Sequence, residues 1–213
     1  TALEEDASWE MDSFVEHAGY APCGFLDDEP MPALMKNEDF RKQFVTTFLD
    51  MANENFRSDR VLALLDQAET LYSPWAEKSW ERWNTNPQDE PFSVQVEDLR
   101  SFFENRFDSI IPSLAEHFSL EGELVSLTLS AEKAKGGNVT LNTLSPSLAE
   151  GSWQGRYYTD YPVCLTAEAT DGYSFAGWRV EGGSILSGDP SSPEIQVQLT
   201  EDTSFCAVFE KNK

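Results

Sequence analysis

The feature that most constrains this 213-residue sequence is a change of hydrophobic period between Ser119 and Gly122. Before this point, apolar residues recur every three or four positions, which is typical of amphipathic helices. After it, they alternate along short segments separated by Gly, Pro, Asp and Ser clusters, which is typical of β-strands. The sequence therefore predicts an α+β chain of two segregated domains, all-α over residues 1–120 and a small all-β module over residues 121–213.

Start signals predict several helices in the first half. Asn37, Ser58 and Ser93 are candidate caps of three helices, the last of them long and kinked near its end by a proline, Pro112. The pair Ser73-Pro74 is a further start signal and predicts a separate helix through WAEKSWERW. Because an amphipathic helix must bury one face, we expect the aromatic stripes of these helices to form a core.

About six short strands and no helix are predicted in the second half. The strand segments are ELVSLTLSA, GGNVTLNTL, PVCLTAEA, YSFAGWRV, EIQVQLT and TSFCAVFE. Within DGYSFAGW, the pair Asp171-Gly172 predicts a turn, and the aromatic residues Tyr173, Phe175 and Trp178 are expected to supply the core.

The charge balance restricts the partners of this chain. A formal net charge of −23 repels nucleic-acid backbones and anionic membranes, so we expect neither partner. No segment approaches the roughly 20 apolar residues that span a bilayer. Because the opening TALEEDASWE lacks a start Met, we expect it to lie inside a longer protein, which leaves an upstream signal or anchor open.

The cysteines and histidines match no metal-site spacing. Cys23, Cys164 and Cys206 form neither a zinc pattern nor a disulfide framework. Buried free thiols are the favoured interpretation, and a disulfide between Cys164 and Cys206 is the alternative. For His17 and His117, surface or capping roles are expected.

The end of the chain resembles the divergent InlB-type B-repeat of bacterial surface proteins. The resemblance lies in a V-x-L-T-A strand, a GY-x-F-x-GW segment and an L-x-x-D-T-x-x-A-x-F segment. The matching residues are Val163, Leu165, Ala167, Gly172, Tyr173, Phe175, Gly177, Trp178, Leu199, Asp202, Thr203, Ala207 and Phe209. The resemblance implies a β module used for spacing, adhesion or contact with a protein or cell-surface partner.

Residues 34–83 resemble the carboxyl-terminal lobe of CotH-type kinase-like proteins. The matching residues are Leu34, Asn37, Phe40, Arg41, Phe44, Phe56, Arg82 and Trp83. In surface proteins of this type a β module with a W-x-G-x-Y pattern follows the lobe, and Trp153, Gly155 and Tyr157 show that pattern here. The resemblance implies a bacterial protein that is extracellular or at the cell surface.

CotH-type proteins are atypical protein kinases that phosphorylate spore-coat proteins. Their W-D-x-D metal motif is similar to WEMD here, so the resemblance implies Asp12 as a metal ligand, with Glu10 in place of the usual Asp. No glycine-rich loop, phosphate-binding Lys or catalytic Asp/Asn pair has a counterpart in the sequence. We therefore expect this chain to be non-catalytic and without a cofactor, and assign Mg²⁺ and ATP to a full-length parent.

Two alternatives differ in function class. Trp153, Tyr157, Tyr158 and Tyr161 lie in WQGRYYTDYP, which has the composition of a loop, and exposed aromatic residues there would suit a glycan or protein partner. In that alternative the helices are only a scaffold for an adhesion module. The other alternative is an independent small enzyme, although the G-x-S-x-G pattern of a hydrolase is absent from the sequence.

Overall fold

The computed structural model describes residues 8, 10, 12, 14, 30–83, 90–149 and 151–212. The chain forms two compact units, one of Thr1–Asn37 and Asn55–Phe118 and the other of Glu38–Glu54 and Ser119–Lys213. Helices precede strands along the chain, which confirms the predicted fold class. The second unit includes a helix from the first half of the chain.

Helices α1 (Pro30–Leu34), α3 (Ser58–Trp83) and α4 (Phe92–Phe118) belong to the first unit. Helix α2 (Glu38–Glu54) belongs to the second unit. The buried residues of α4 all face one side at helical spacing, as its sequence predicts. They are Val96, Ile110, Ile111, Leu114 and Phe118.

Two of the predicted helix starts are wrong. Ser73 and Pro74 lie inside α3, because the Ser73 hydroxyl donates to the Glu69 carbonyl oxygen at 2.7 Å, one turn back, and caps nothing. Helix α4 begins one residue before Ser93, and the Pro91 carbonyl oxygen accepts hydrogen bonds in its first turn. Pro112 lies within α4, which continues for another six residues to Phe118.

The aromatic stripe expected in the core is not buried on α3. None of the 26 residues of this helix is buried. Trp75 is 70% exposed and Trp83 is 68% exposed, and Leu71 and Tyr72 are exposed as well. Arg82 lies over the ring of Trp83 and Lys78 over that of Trp75, so cationic side chains partly cover these indoles.

Within its described residues, the second unit contains eight strands rather than six, together with a short 3₁₀-helix at Ala134–Gly136. All six predicted strands are confirmed; the two that the sequence analysis missed are β3 and β6. The strands are β1 (Leu124–Glu132), β2 (Gly137–Leu141), β3 (Trp153–Tyr158), β4 (Val163–Ala169), β5 (Tyr173–Glu181), β6 (Ser184–Ser187), β7 (Glu194–Gln198) and β8 (Thr203–Lys211).

Two four-stranded sheets build this unit. The first, sheet A, has the order β3-β1-β8-β5, and the second has the order β2-β4-β7-β6. Neighbouring strands are antiparallel except for β1 and β8, which are parallel. Alternate residues of most strands point into the core. The fully buried large side chains include Leu127, Leu129, Leu141, Leu165, Ile195, Leu199, Phe205 and Phe209.

The segment DGYSFAGW forms a turn and the start of β5, as predicted. Gly172 has a φ of 83°, a conformation that glycine adopts without strain. Trp178 is buried and its indole N–H donates to the Ser192 carbonyl oxygen at 3.0 Å. The ring of Phe175 packs edge-on against Trp178 and Phe209, although Phe175 itself is only half-buried.

Cys164 and Cys206 are free, which confirms the favoured interpretation over the disulfide. The expected burial is wrong, because Cys164 is exposed on β4 and Cys206 is half-buried on β8. Cys23 and His17 lie outside the described residues. Among the described helices, none has both the length and the apolar composition that a membrane span requires.

Candidate functional site: helix α2 on strand β3

Asp12, the candidate metal ligand, has both carboxylate oxygens engaged within the first unit. Its Oδ1 accepts a hydrogen bond from the Phe14 amide at 3.0 Å, and its Oδ2 lies 2.6 Å from Nε2 of His117. The Phe14 ring packs against His117 and Phe118, which holds the pair together. Burial lowers the pKa of Arg106, and the nearby Asp12 charge opposes that shift.

Glu10 is exposed, and its backbone amide donates to the Ser8 hydroxyl. Trp9, the first residue of the WEMD motif, lies outside the described residues. Across the part of the chain that the structure describes, no three His, Cys, Asp or Glu side chains are grouped as metal ligands would be. The metal role of Asp12 and Glu10 therefore stays a prediction, and Asp12 would bind a metal only in competition with His117.

The WQGRYY segment is strand β3, not a loop, because its residues alternate between buried and exposed positions. Trp153 is 5% exposed and Tyr157 is 2% exposed, so the exposure that a glycan contact requires is absent for both. Tyr158, on the opposite side of the strand, is half-buried, as is Tyr161. The buried side of β3 presents the W-x-G-x-Y pattern to helix α2 of the same unit.

Asp50 of α2 lies at the centre of this contact and is 0% exposed. Its Oδ1 accepts hydrogen bonds from the Tyr157 hydroxyl at 2.8 Å and from Nδ2 of Asn142 at 3.1 Å. Its Oδ2 accepts from the backbone amide and the hydroxyl of Thr143, at 3.0 and 2.6 Å. Four neutral donors thus replace the water that a buried carboxylate loses.

One turn further along α2, Asn53 pairs with the backbone of β3. Its Nδ2 donates to the Arg156 carbonyl oxygen, and its Oδ1 accepts from the Arg156 amide, both at 2.8 Å. A side-chain amide with this geometry reproduces the two hydrogen bonds of a paired β-strand residue. Asn53 is 4% exposed, so water does not compete for these bonds.

Glu54 completes the face by accepting a hydrogen bond from the Trp153 indole N–H at 2.8 Å. Gly155 lies between the two buried aromatic residues of β3, at a position where a side chain does not fit. A Cβ at this position would lie 2.4 Å from Cη2 of Trp153 and 3.0 Å from Cγ of Asn53. The absence of a side chain at Gly155 therefore permits the close approach of α2.

Electrostatics keep the Tyr157 hydroxyl a donor. Burial, followed by the neighbouring Asp50 carboxylate, raises the pKa of Tyr157 far above its ordinary value of 10.0. The phenol therefore remains protonated over the whole pH range in which proteins are usually folded. Its hydroxyl can donate to the Asp50 carboxylate throughout that range. The arrangement is suited to binding a helix, since all four donor groups around Asp50 are engaged by its carboxylate.

The sequence analysis singled out Trp153, Gly155 and Tyr157 but missed their partners on α2. The missed residues Asp50 and Asn53, with Glu54, are spaced i, i+3 and i+4, which puts them on one helix face. Their signal is present in the sequence: polar residues interrupt an otherwise apolar face of α2. It identifies a buried polar contact but not the strand that satisfies it.

Comparison with known proteins assigns the two ends of this contact to different families. Residues 31–110 match the family model described as CotH kinase protein, and residues 127–213 match that of the divergent InlB B-repeat domain. A segment similar to CotH kinase proteins is thus followed by a segment similar to the B-repeat. No curated protein and no solved structure matches the chain.

Both resemblances noted in the sequence are thereby confirmed, in the predicted order. Helix α2 lies within the CotH match and β3 lies within the B-repeat match, yet both belong to one compact unit. The contact of Asp50, Asn53 and Glu54 with β3 therefore builds a helix of the CotH segment into the B-repeat.

Proposed function

We propose that this chain is the non-catalytic, carboxyl-terminal part of a bacterial secreted or cell-surface protein of the CotH kinase-like type. Its B-repeat serves as a spacer or partner-contact module for a parent protein that is an atypical protein kinase. The observation that carries this proposal is the polar contact of Asp50, Asn53 and Glu54 with β3. A helix of the CotH segment is thereby part of the same compact unit as the repeat.

The contacts of Asp12 support the non-catalytic part of the proposal. Phosphoryl transfer requires carboxylate oxygens that are available to Mg²⁺ and to the phosphates it carries. Here His117 and the Phe14 amide already engage both oxygens of Asp12. A metal at Oδ2 would have to compete with the imidazole of His117 for that oxygen.

Burial on β3 favours a spacer or a protein contact over the glycan-binding alternative. The indole of Trp153 and the phenol of Tyr157 each use their polar atom on α2. Sugar stacking would require these ring faces to be accessible, and both residues are buried. Tyr158 is the most accessible of the three candidate contact residues.

A calorimetric melt of the chain with and without Mg²⁺-ATP tests the catalytic question. A ligand that binds only the folded state must raise the melting temperature by mass action. We expect no shift, and no transfer of labelled γ-phosphate to an added protein acceptor. A shift that disappears in Asp12→Ala but persists in Asp59→Ala, an exposed carboxylate of α3, would contradict the proposal.

Titration with polysaccharides, followed by tryptophan fluorescence, tests the glycan alternative. We expect no saturable change, because Trp153 is buried under α2. A saturable change that is lost in Tyr158→Ala and retained in Tyr72→Ala, an exposed tyrosine of α3, would favour glycan binding instead.

A further inference from the structure

Strand β3 lies at the end of sheet A, next to β1 alone. An edge strand presents backbone N–H and C=O groups that pair readily with another strand, and natural proteins cover or interrupt such edges. On β3, the amide and the carbonyl of Arg156 point away from β1 and bond to the Asn53 side chain. Helix α2 therefore covers this edge with a group that takes the place of a partner strand.

The alternation of a β-strand extends this edge over several residues. Because Arg156 directs its backbone groups outward, the backbone groups of Gln154 and Tyr158 face the same way. The outward side of β3 thus has the length of a short strand pairing, and Asn53 lies at its centre. Removing the hold of α2 would take the Asn53 partner away from the outward amide and carbonyl of Arg156.

We propose that α2 guards the β3 edge against pairing with the β3 edge of a second copy of this chain. Two identical antiparallel edges are self-complementary about a twofold axis, so one surface serves as both partners. Strand β3, WQGRYY, has one cationic side chain, Arg156, and no carboxylate, whereas the chain as a whole has a net charge of −23. This edge therefore has no carboxylate to repel the acidic surface of a second copy, and a register that sets Arg156 opposite Gln154 keeps the two guanidinium groups from facing each other.

The mass of the full chain in solution, measured by light scattering over a concentration series, tests this proposal. Asp50→Ala/Asn53→Ala removes both polar anchors of α2, and we expect a species of twice the wild-type mass that grows with concentration. Adding Gln154→Pro removes an outward N–H without removing a bond to β1, since proline is tolerated on the free side of an edge strand. This third substitution should return the mass to that of the wild type.

A folded double variant with the wild-type mass at every concentration would overturn the proposal, as would doubling that persists with Gln154→Pro. Circular dichroism establishes whether each variant is folded. If the double variant does not fold, Asn53→Ala alone takes its place, because it retains the four hydrogen bonds of Asp50. The same two criteria then apply to it, with Asn53→Ala/Gln154→Pro as the matched control.

Discussion

The Tyr157 hydroxyl donates a hydrogen bond to Oδ1 of Asp50 at 2.8 Å, across 107 positions of the sequence. This bond joins a helix of the CotH segment to a strand of the B-repeat inside one compact unit. A buried carboxylate is costly unless every lone pair finds a donor, so the position of α2 on β3 is specified by polar contacts as well as apolar burial. The stability of the second unit should therefore depend on a few polar residues.

Asp50→Asn should lower the free energy of unfolding by about 3 kcal/mol. The new side chain replaces one carboxylate oxygen with an NH₂ donor, which faces either the two groups of Thr143 or those of Tyr157 and Asn142, so at least one donor loses its acceptor. Urea denaturation monitored by circular dichroism measures the change.

Asp59→Asn is the matched control, because Asp59 is an exposed carboxylate paired with Arg57, and it should change stability by less than about 0.5 kcal/mol. A double-mutant cycle with Tyr157→Phe should show a coupling of about 1–2 kcal/mol with Asp50→Asn. Additive effects would mean that the 2.8 Å bond contributes nothing specific.

Gly155→Ala should destabilise the second unit by about 1–3 kcal/mol, because added volume in a packed contact forces neighbours to shift. The new methyl group would overlap the Trp153 ring and approach Asn53. Thermal unfolding measures the loss, and Gln154→Ala, at the exposed neighbouring position, is the control. Equal melting temperatures for the two variants would show that α2 does not need this close approach.

The contribution of Tyr157 to stability should disappear at high pH. Its pKa is raised in the folded state, so the contribution is fully present below the ordinary value of 10.0 and is lost as the pH rises above it. Above this pH the unfolded chain binds one proton fewer than the folded chain, and stability should fall by about 1.4 kcal/mol per pH unit.

Comparison of the wild type with Tyr157→Phe isolates this residue from other groups that titrate in the same range. The difference in unfolding free energy between the wild type and Tyr157→Phe should shrink above about pH 10, by about 1.4 kcal/mol per pH unit. A constant difference up to about pH 11.5 would mean that the phenol titrates normally. Absorbance of phenolate at alkaline pH provides a second reading of the same group.

Trp75→Gln should leave stability within about 0.5 kcal/mol of the wild type, since this indole is 70% exposed on α3. Leu114→Ala on α4 should cost about 2–5 kcal/mol, because Leu114 is fully buried. Denaturant titration of both variants compares them directly. A large loss for Trp75→Gln would show that the indole is packed in solution.

Local periodicity predicted much of this fold correctly. Val96, Ile110 and Leu114 recur at helical spacing and are buried on α4, and the six strands with clear alternation all formed. The failures have local causes. Ser73 is of a residue type that often caps helices, but its hydroxyl donates to the Glu69 carbonyl oxygen within α3. Strand β3 was missed because its glycine and tyrosines are typical of a loop.

The sequence by itself determined the order of helices and strands, the turn at Gly172 and the resemblance to two families, because these depend on neighbours along the chain. Only the tertiary structure decided that α2 belongs with the strands and that the indole of Trp153 is buried. The physical reason is that Asp50 and Asn53 find their partners about a hundred residues away. A pattern read along the chain shows that a polar group must be satisfied but not which distant group satisfies it.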